Sequence, residues 1–381
     1  MTSFTHHYIA DSADLGLSGA LDLVRTRDGF RPRRLPHAAW EQVPHAFMRT
    51  MVECPAGVRL RFMTEARNIA VVLVTRTLYL LDTDQRFSAA VDLVVDGSVI
   101  ASQMVGRHHV RIGPGADRAV LEAAEPETVE FAGLRVGPKL VEIWLPHSAV
   151  VDLVTVMTDG PVVPAPSQQM RWVHYGSSIS HCLEASVPTR TWPALVARGL
   201  DLDLVDLGLA GSALLDPFVA RAIRDTDADL ITVKVGINLV NLGVAHERMF
   251  APLMNGFLDT IREGHPATPI VVISPVTCPA HEHTPGPTGV GVDGVAISLN
   301  QEPLRPGALT LTDVRRILSD IVTLRSATDA HVSYIAGDQL FRDADVTAGR
   351  LPDGLHPDER GYQLIASRVE PMLGAVIEDR R

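Results

Sequence analysis

The hydrophobic rhythm of the chain changes near residue 165, and this change limits the fold more than any other feature. Before it, short apolar runs rich in Val, Leu and Thr are separated by turn residues: Ile69–Val74, Leu78–Leu81, Val91–Val95, Val141–Leu145 and Val150–Met157. Asp96-Gly97 and Gly113-Pro114 supply turn signals between them. Closely spaced strands with little helical pattern predict an antiparallel β-sandwich of jelly-roll type over residues 1–165. Asp159–Gln169 holds three prolines and reads as a linker. A chain of 381 residues exceeds an ordinary single core, so two domains are expected.

After residue 165 strands alternate with helices. Arg171–Tyr175, Leu202–Leu207, Leu230–Val235, Ile270–Ile273 and His331–Ile335 are strand candidates. Helices are predicted over Thr191–Gly199, Thr312–Leu324 and Asp358–Leu373, the last two with a clear apolar face. This alternation predicts an α/β domain over residues 166–381, a parallel sheet covered by helices. Cys278–Leu309 breaks the pattern. It is long, rich in Gly and Pro and without a period, which marks a lid, a binding loop or a disordered insert.

Ligands of parallel sheets bind at the carboxyl ends of the strands, so the segments after each strand are where chemistry is sought. Gly176-Ser177-Ser178-Ile179-Ser180 follows the first strand, Gly208-Leu209-Ala210-Gly211-Ser212 the second, and Gly236-Ile237-Asn238 the third. Asp353-Gly354-Leu355-His356-Pro357 precedes the last helix. Each has an ordinary reading as a helix cap, a turn or a helix start. Each also has a chemical one. A serine needs a base to become a nucleophile. Asp and His three apart can hydrogen-bond and fix the imidazole tautomer. Backbone N–H groups and an Asn amide can stabilise an oxyanion.

Taken together and in this order, the four segments resemble the SGNH (GDSL-type) hydrolase superfamily, whose sequence blocks contribute Ser, Gly, Asn and His. The resemblance implies a flavodoxin-like sheet and a catalytic set of Ser178, Asp353 and His356. It implies an oxyanion hole from the Ser178 and Gly211 backbone amides and the Asn238 side chain. The usual Asp between Gly and Ser is Ser177 here, and the usual Leu is Ile179. The all-β region resembles carbohydrate-binding modules. An all-β region ahead of an SGNH domain carrying this serine motif further resembles acyltransferases of antibiotic biosynthesis. That implies transfer of an aryl acyl group from a coenzyme A thioester to a hydroxyl of a polyketide. Carboxylesterase or carbohydrate esterase activity with the same residues is the alternative, and a sugar-binding protein with an inactive SGNH domain is a third reading. Water competes for any acyl-enzyme, so a transferase must shield its ester; the 278–309 insert and the all-β region are candidates for that task.

Composition narrows the partners. A formal net charge of -11 speaks against nucleic acid, which needs a basic face. No apolar run approaches the roughly 20 residues that span a bilayer. The N-terminus does not read as a secretion signal. Three widely spaced cysteines, Cys54, Cys182 and Cys278, do not make a disulfide framework. A cytoplasmic protein acting on a small acyl donor and a hydroxylated acceptor is expected, with acyl-CoA as co-substrate and no tightly bound cofactor. Cys278, His281 and His283 are considered as a metal cluster and set aside, since no fourth ligand is evident. His174 and His181 flank the serine motif and could contact substrate, although such histidines are more often packing or surface residues. Cys182 is a rival nucleophile one helical turn further on, read as a buried inert thiol.

Overall fold

The computed structural model describes residues 4–113, 118–166, 169–300 and 306–379. Two compact units emerge. One comprises residues 1–169 with 185–194 and 203–206; the other comprises 170–184, 195–202 and 207–381.

The first unit is β-rich. Its strands form a nine-stranded and a six-stranded sheet, paired antiparallel apart from His108–Ile112, which runs parallel to Arg76–Leu80. One apolar core takes residues from both sheets, including Val71, Leu73, Val151 and Leu153 from one and Leu60, Phe62, Leu93 and Ile143 from the other. The separate runs predicted over Ile69–Val74 and Leu78–Leu81 are a single strand, Ile69–Leu80. Thr75-Arg76-Thr77 is the polar stretch between the two runs. It stays in the strand because the buried Arg76 guanidinium is paired with Asp152 at 3.0 Å and also with Asp28, and a buried charge is tolerated when so paired.

The predicted linker is shorter than expected. Val162–Pro164 is a strand pairing antiparallel with Arg59–Thr64 at the end of the six-stranded sheet. Proline is compatible with an edge strand, where one side of the ladder needs no N–H. The Ser167-Gln168 part of the linker and the Pro114 part of the Gly113-Pro114 turn lie outside the described residues.

A five-stranded sheet is formed by β1 (Met170–Gly176), β2 (Leu202–Gly208), β3 (Leu230–Lys234), β4 (Ile270–Ile273) and β5 (Val332–Ile335), all of the second unit except residues 203–206 of β2. Their order is β2-β1-β3-β4-β5, and the register runs parallel from β1 through β3 and β4 to β5. Central strands buried on both faces read as nearly continuous apolar runs, as β4 (IVVI) does. Two of the predicted helices lie within one residue of their expected bounds, and the last runs five residues further, to Glu378. Leu311–Arg325 opens with a capping box between Thr310 and Asp313, and Glu359–Glu378 is capped by the Asp358 side chain on the Gly361 N–H. The order 2-1-3-4-5 places a topological switch point between β1 and β3, where such sheets bind ligands.

The insert over Cys278–Leu309 is not structureless in its described part. Thr288–Val290 and Ala296–Ser298 pair as an antiparallel hairpin, whose short strands are too brief to show a period in the sequence. Residues 301–305 of it lie outside the described residues. Among the described residues no helix is long and apolar enough to cross a membrane.

Candidate active site

β1 ends at Gly176, and the chain turns at once into a short helix, Ser178–His181, with Ser177 as its N-cap. The turn is so tight that a Cβ on residue 176 would overlap Ser180 Oγ, so glycine is required there. The Leu209 N–H donates to the Gly176 carbonyl at 2.8 Å and fastens the loop after β2, with Gly211, beside the loop after β1. After β3, Gly236 has a φ of 121°, and a Cβ there would overlap Val314. This permits a sharp turn into the helix Ile237–Asn241, whose second residue is Asn238. The Ala213 N–H donates to Asn238 Oδ1 at 3.3 Å. A donor on the oxygen sets the amide's orientation, so its NH₂ end faces away from Ala213.

The segment ahead of the last helix is built around one carboxylate. Asp353 Oδ1 accepts from the Leu355 N–H at 2.9 Å and the His356 N–H at 2.6 Å. Its Oδ2 lies 2.7 Å from His356 Nδ1. His356 Nε2 lies 2.9 Å from Ser178 Oγ. A hydroxyl, an imidazole and a carboxylate are thus joined in series at the carboxyl ends of the strands. With the proton on Nδ1 facing Asp353, Nε2 is the acceptor for the serine hydroxyl.

Residues 169–282 match the GDSL-like lipase/acylhydrolase family. The whole chain is similar to a solved structure of the salicylyl-acyltransferase SsfX3 from a tetracycline biosynthetic pathway, at 27% identity, a TM-score of 0.79 and 97% coverage of each chain. It shares its fold with a putative GDSL-like lipase from Bacteroides ovatus (18% identity, TM-score 0.67, 98% of each chain). A family two carbohydrate esterase from Cellvibrio japonicus has the same fold at 15% identity, a TM-score of 0.56 and 99% of each chain. A search of curated protein sequences finds no match. The family match and the likeness to SsfX3 support the resemblance to the SGNH superfamily and indicate an enzyme.

Within the second unit the remaining candidates are engaged in packing and hydrogen bonds. His174 is fully buried, with Nε2 2.8 Å from Ser180 Oγ and Nδ1 2.6 Å from Thr232 Oγ1. Burial, reinforced by nearby Lys234, drives its pKa down to about 3, so it is neutral. His181 is buried with Nδ1 3.1 Å from the Gly208 carbonyl. Cys182 is buried, and its thiol donates to the Ile179 carbonyl. Cys278 donates to the Gly354 carbonyl, and both His281 nitrogens are engaged, by Thr284 O and Thr288 Oγ1. Among the described residues no group of three or more ligating side chains could hold a metal ion. Ser177, where the resembled family has Asp, has a buried hydroxyl with no hydrogen-bond partner among the described residues.

The hairpin of the insert braces the histidine segment. The Ala296 N–H donates to the Asp353 carbonyl at 2.7 Å, and Gly354, at φ 76°, packs under Val295 and Ala296. A cavity of ≈ 330 Å³ lies between the insert and the helix that carries Asn238, lined by Leu239, Val240, Pro285, Pro287, Leu299 and Leu309 among others.

Sequence reasoning missed two residues. Glu184 Oε1 is 3.7 Å from His356 Nδ1, and the Tyr362 hydroxyl donates to Glu184 Oε2 at 2.6 Å. In the sequence Tyr362 falls on the apolar face of the last helix, with Ile365, Ala366, Val369 and Leu373. A buried tyrosine needs a partner for its hydroxyl, and that was the available signal. Burial pushes the His356 pKa down, but the Glu184 and Asp353 carboxylates outweigh it and hold it up at about 9. Burial opposes ionisation of Asp353 as well, and the His356 hydrogen bond and charge more than offset this, so its pKa is lowered. Only the neutral imidazole can accept a proton. A reaction that uses His356 as a base is therefore expected to quicken with rising pH along an acidic limb displaced from the ordinary histidine range, near 6.5, toward about 9. A kcat/KM profile already flat at pH 6 would contradict this.

Proposed function

We propose that this chain is a serine acyltransferase working through an acyl-enzyme, with Ser178 as nucleophile, His356 as general base and then acid, and Asp353 as the group that orients the imidazole. The observation that carries this reading is the unbroken series Ser178 Oγ–His356–Asp353. Ser178 Oγ bonds to the acyl carbon while its proton passes to His356 Nε2. The C–S bond of the thioester then breaks, and the sulfur leaves with that proton as the free thiol. An acceptor hydroxyl next gives its proton to Nε2 and attacks the ester. The proton returns to Ser178 as its bond to the acyl carbon breaks.

The developing oxyanion is placed against the N–H groups of Ser178 and Gly211 and the NH₂ of Asn238. The first N–H of a helix has no partner within the helix, which suits Ser178 to this role. Asn238→Ala is expected to slow acylation by about 10²–10³, with little change in substrate binding. Pre-steady-state acylation measured across a range of substrate concentrations checks both parts.

The donor proposed is an aryl coenzyme A thioester and the acceptor a hydroxyl on a polyketide scaffold. Similarity to the salicylyl-acyltransferase SsfX3 over 97% of the chain supports this. The cavity lined by Leu239, Val240 and the insert has the volume of a small-molecule pocket. No tightly bound cofactor, nucleic acid or membrane enters the reaction, and the setting proposed is cytoplasmic. The domains proposed are 1–165 and 166–381. The first is read as a β-sandwich because its two sheets share one core. Ester hydrolysis by the same residues is the second reading, favoured by the match of residues 169–282 to a lipase/acylhydrolase family.

Incubation with aryl-CoA thioesters, followed by intact-mass measurement, should reveal one acyl group on Ser178. Chromatography at fixed donor, with and without a polyhydroxylated polycyclic acceptor, then separates transfer from hydrolysis. Rapid hydrolysis of simple esters with no transfer to any such acceptor would establish the esterase instead.

A further inference from the structure

His356 Nδ1 faces two carboxylates, and the reaction proposed above needs only one. Asp353 approaches it at 2.7 Å and Glu184 at 3.7 Å. Glu184 is anchored, since the Tyr362 hydroxyl, itself fully buried, donates to its other oxygen. The two come from separate parts of the unit: Glu184 lies two residues beyond the turn at Cys182, and Tyr362 lies on the last helix. We infer that Glu184, held by Tyr362, is a positioning residue for His356, a second carboxylate that steadies the imidazolium and can take over its Nδ1–H. This rests on the acyl-transfer reading of the site.

The electrostatics agree. The charges facing His356 are those of Glu184 and Asp353, both negative. Behind them stand Tyr362 and Cys182 on the Glu184 side and Cys278 on the Asp353 side. Lys234, buried, interacts with Cys182 rather than with the imidazole. A negative charge within about 4–6 Å favours the protonated ring. When Ser178 gives up its proton, the imidazolium forms beside two carboxylates. If Asp353 is truncated, the Nδ1–H still has an acceptor within a small rotation.

Glu184→Gln removes the charge and retains an oxygen for the Tyr362 hydroxyl, so the local packing should survive. In protein labelled with ¹³C-histidine, the His356 ring signal is the one missing from His356→Gln. Its pKa is expected to fall by about one unit in Glu184→Gln. The acidic limb of kcat/KM for an aryl thioester should move to lower pH by the same amount. Asp353→Ala combined with Glu184→Gln should be slower than the product of the two single effects, because each carboxylate substitutes in part for the other. A ring pKa that does not move, or a double variant that merely multiplies the singles, overturns the inference. If Glu184→Gln fails to fold, Glu184→Ala gives the same two readouts. Wild-type protein that neither acylates Ser178 nor turns over would defeat the acyl-transfer reading alone, since the ring titration reports on Glu184 without any substrate.

Discussion

Ser178→Ala is expected to lower the rate of acyl transfer by several powers of ten, of order 10⁶ in the limit. The Oγ that this substitution removes is the atom 2.9 Å from His356 Nε2, and no neighbouring nucleophile replaces it. Ser180 Oγ is committed to the buried His174 at 2.8 Å. Ser177 Oγ is buried. The Cys182 thiol is buried in the turn and donates to Ile179. His356→Ala should be as damaging, because residues that act as one unit do not contribute additively. The contrast lies with Ser177→Ala and Ser180→Ala, which should retain most activity. Ser180→Ala should nevertheless lower the melting temperature, since it removes a hydrogen bond to the buried His174 imidazole, at a cost of about 0.5–1.5 kcal/mol. Single-turnover rates with an aryl-CoA donor and thermal melts of the four variants make the comparison. Near-wild-type turnover by Ser178→Ala would remove it from the mechanism.

Asp353→Asn is expected to cost about 10⁴ in kcat, more than Asp353→Ala. The reason is the division of labour between the two carboxylate oxygens. Oδ1 is held by the backbone N–H groups of Leu355 and His356, and Oδ2 meets His356 Nδ1. In an asparagine the oxygen must stay on the backbone donors, so its NH₂ faces Nδ1. That forces the proton onto Nε2, opposite Ser178, and the imidazole ceases to be a base. Truncation to alanine leaves the tautomer free, with Glu184 close enough to accept the Nδ1–H. Comparison of kcat for the two variants at the wild-type pH optimum decides the point; an asparagine variant faster than the alanine variant would show that the tautomer is not controlled here.

Much of this protein could be read without coordinates. The alternation of apolar runs and amphipathic helices after residue 165 is a local signal, because a buried parallel strand and a packed helix each impose their own period. Asp353 and His356 lie three residues apart, within one turn of chain, so their pairing was also open to local reasoning. Gly176 and Gly236 mark turns that admit no side chain, and their type announces the constraint. Other features depend on distance in space alone. Ser178 and His356 are separated by 178 positions, and only the closing of the 2-1-3-4-5 sheet brings the two loops to one edge. The continuity of Ile69–Leu80 depended on Asp152 and Asp28 neutralising Arg76, a pairing no window of sequence contains. The insert is held by the pairing of two three-residue strands and by a hydrogen bond to the Asp353 carbonyl, not by any period of its own. Glu184 is the clearest case. A lone carboxylate six residues after a serine carries no message until the fold sets it against an imidazole on one side and a buried tyrosine hydroxyl on the other. Periodicity encodes which face of an element is buried, whereas the charge beside a given nitrogen is a sum over groups that only tertiary packing assembles.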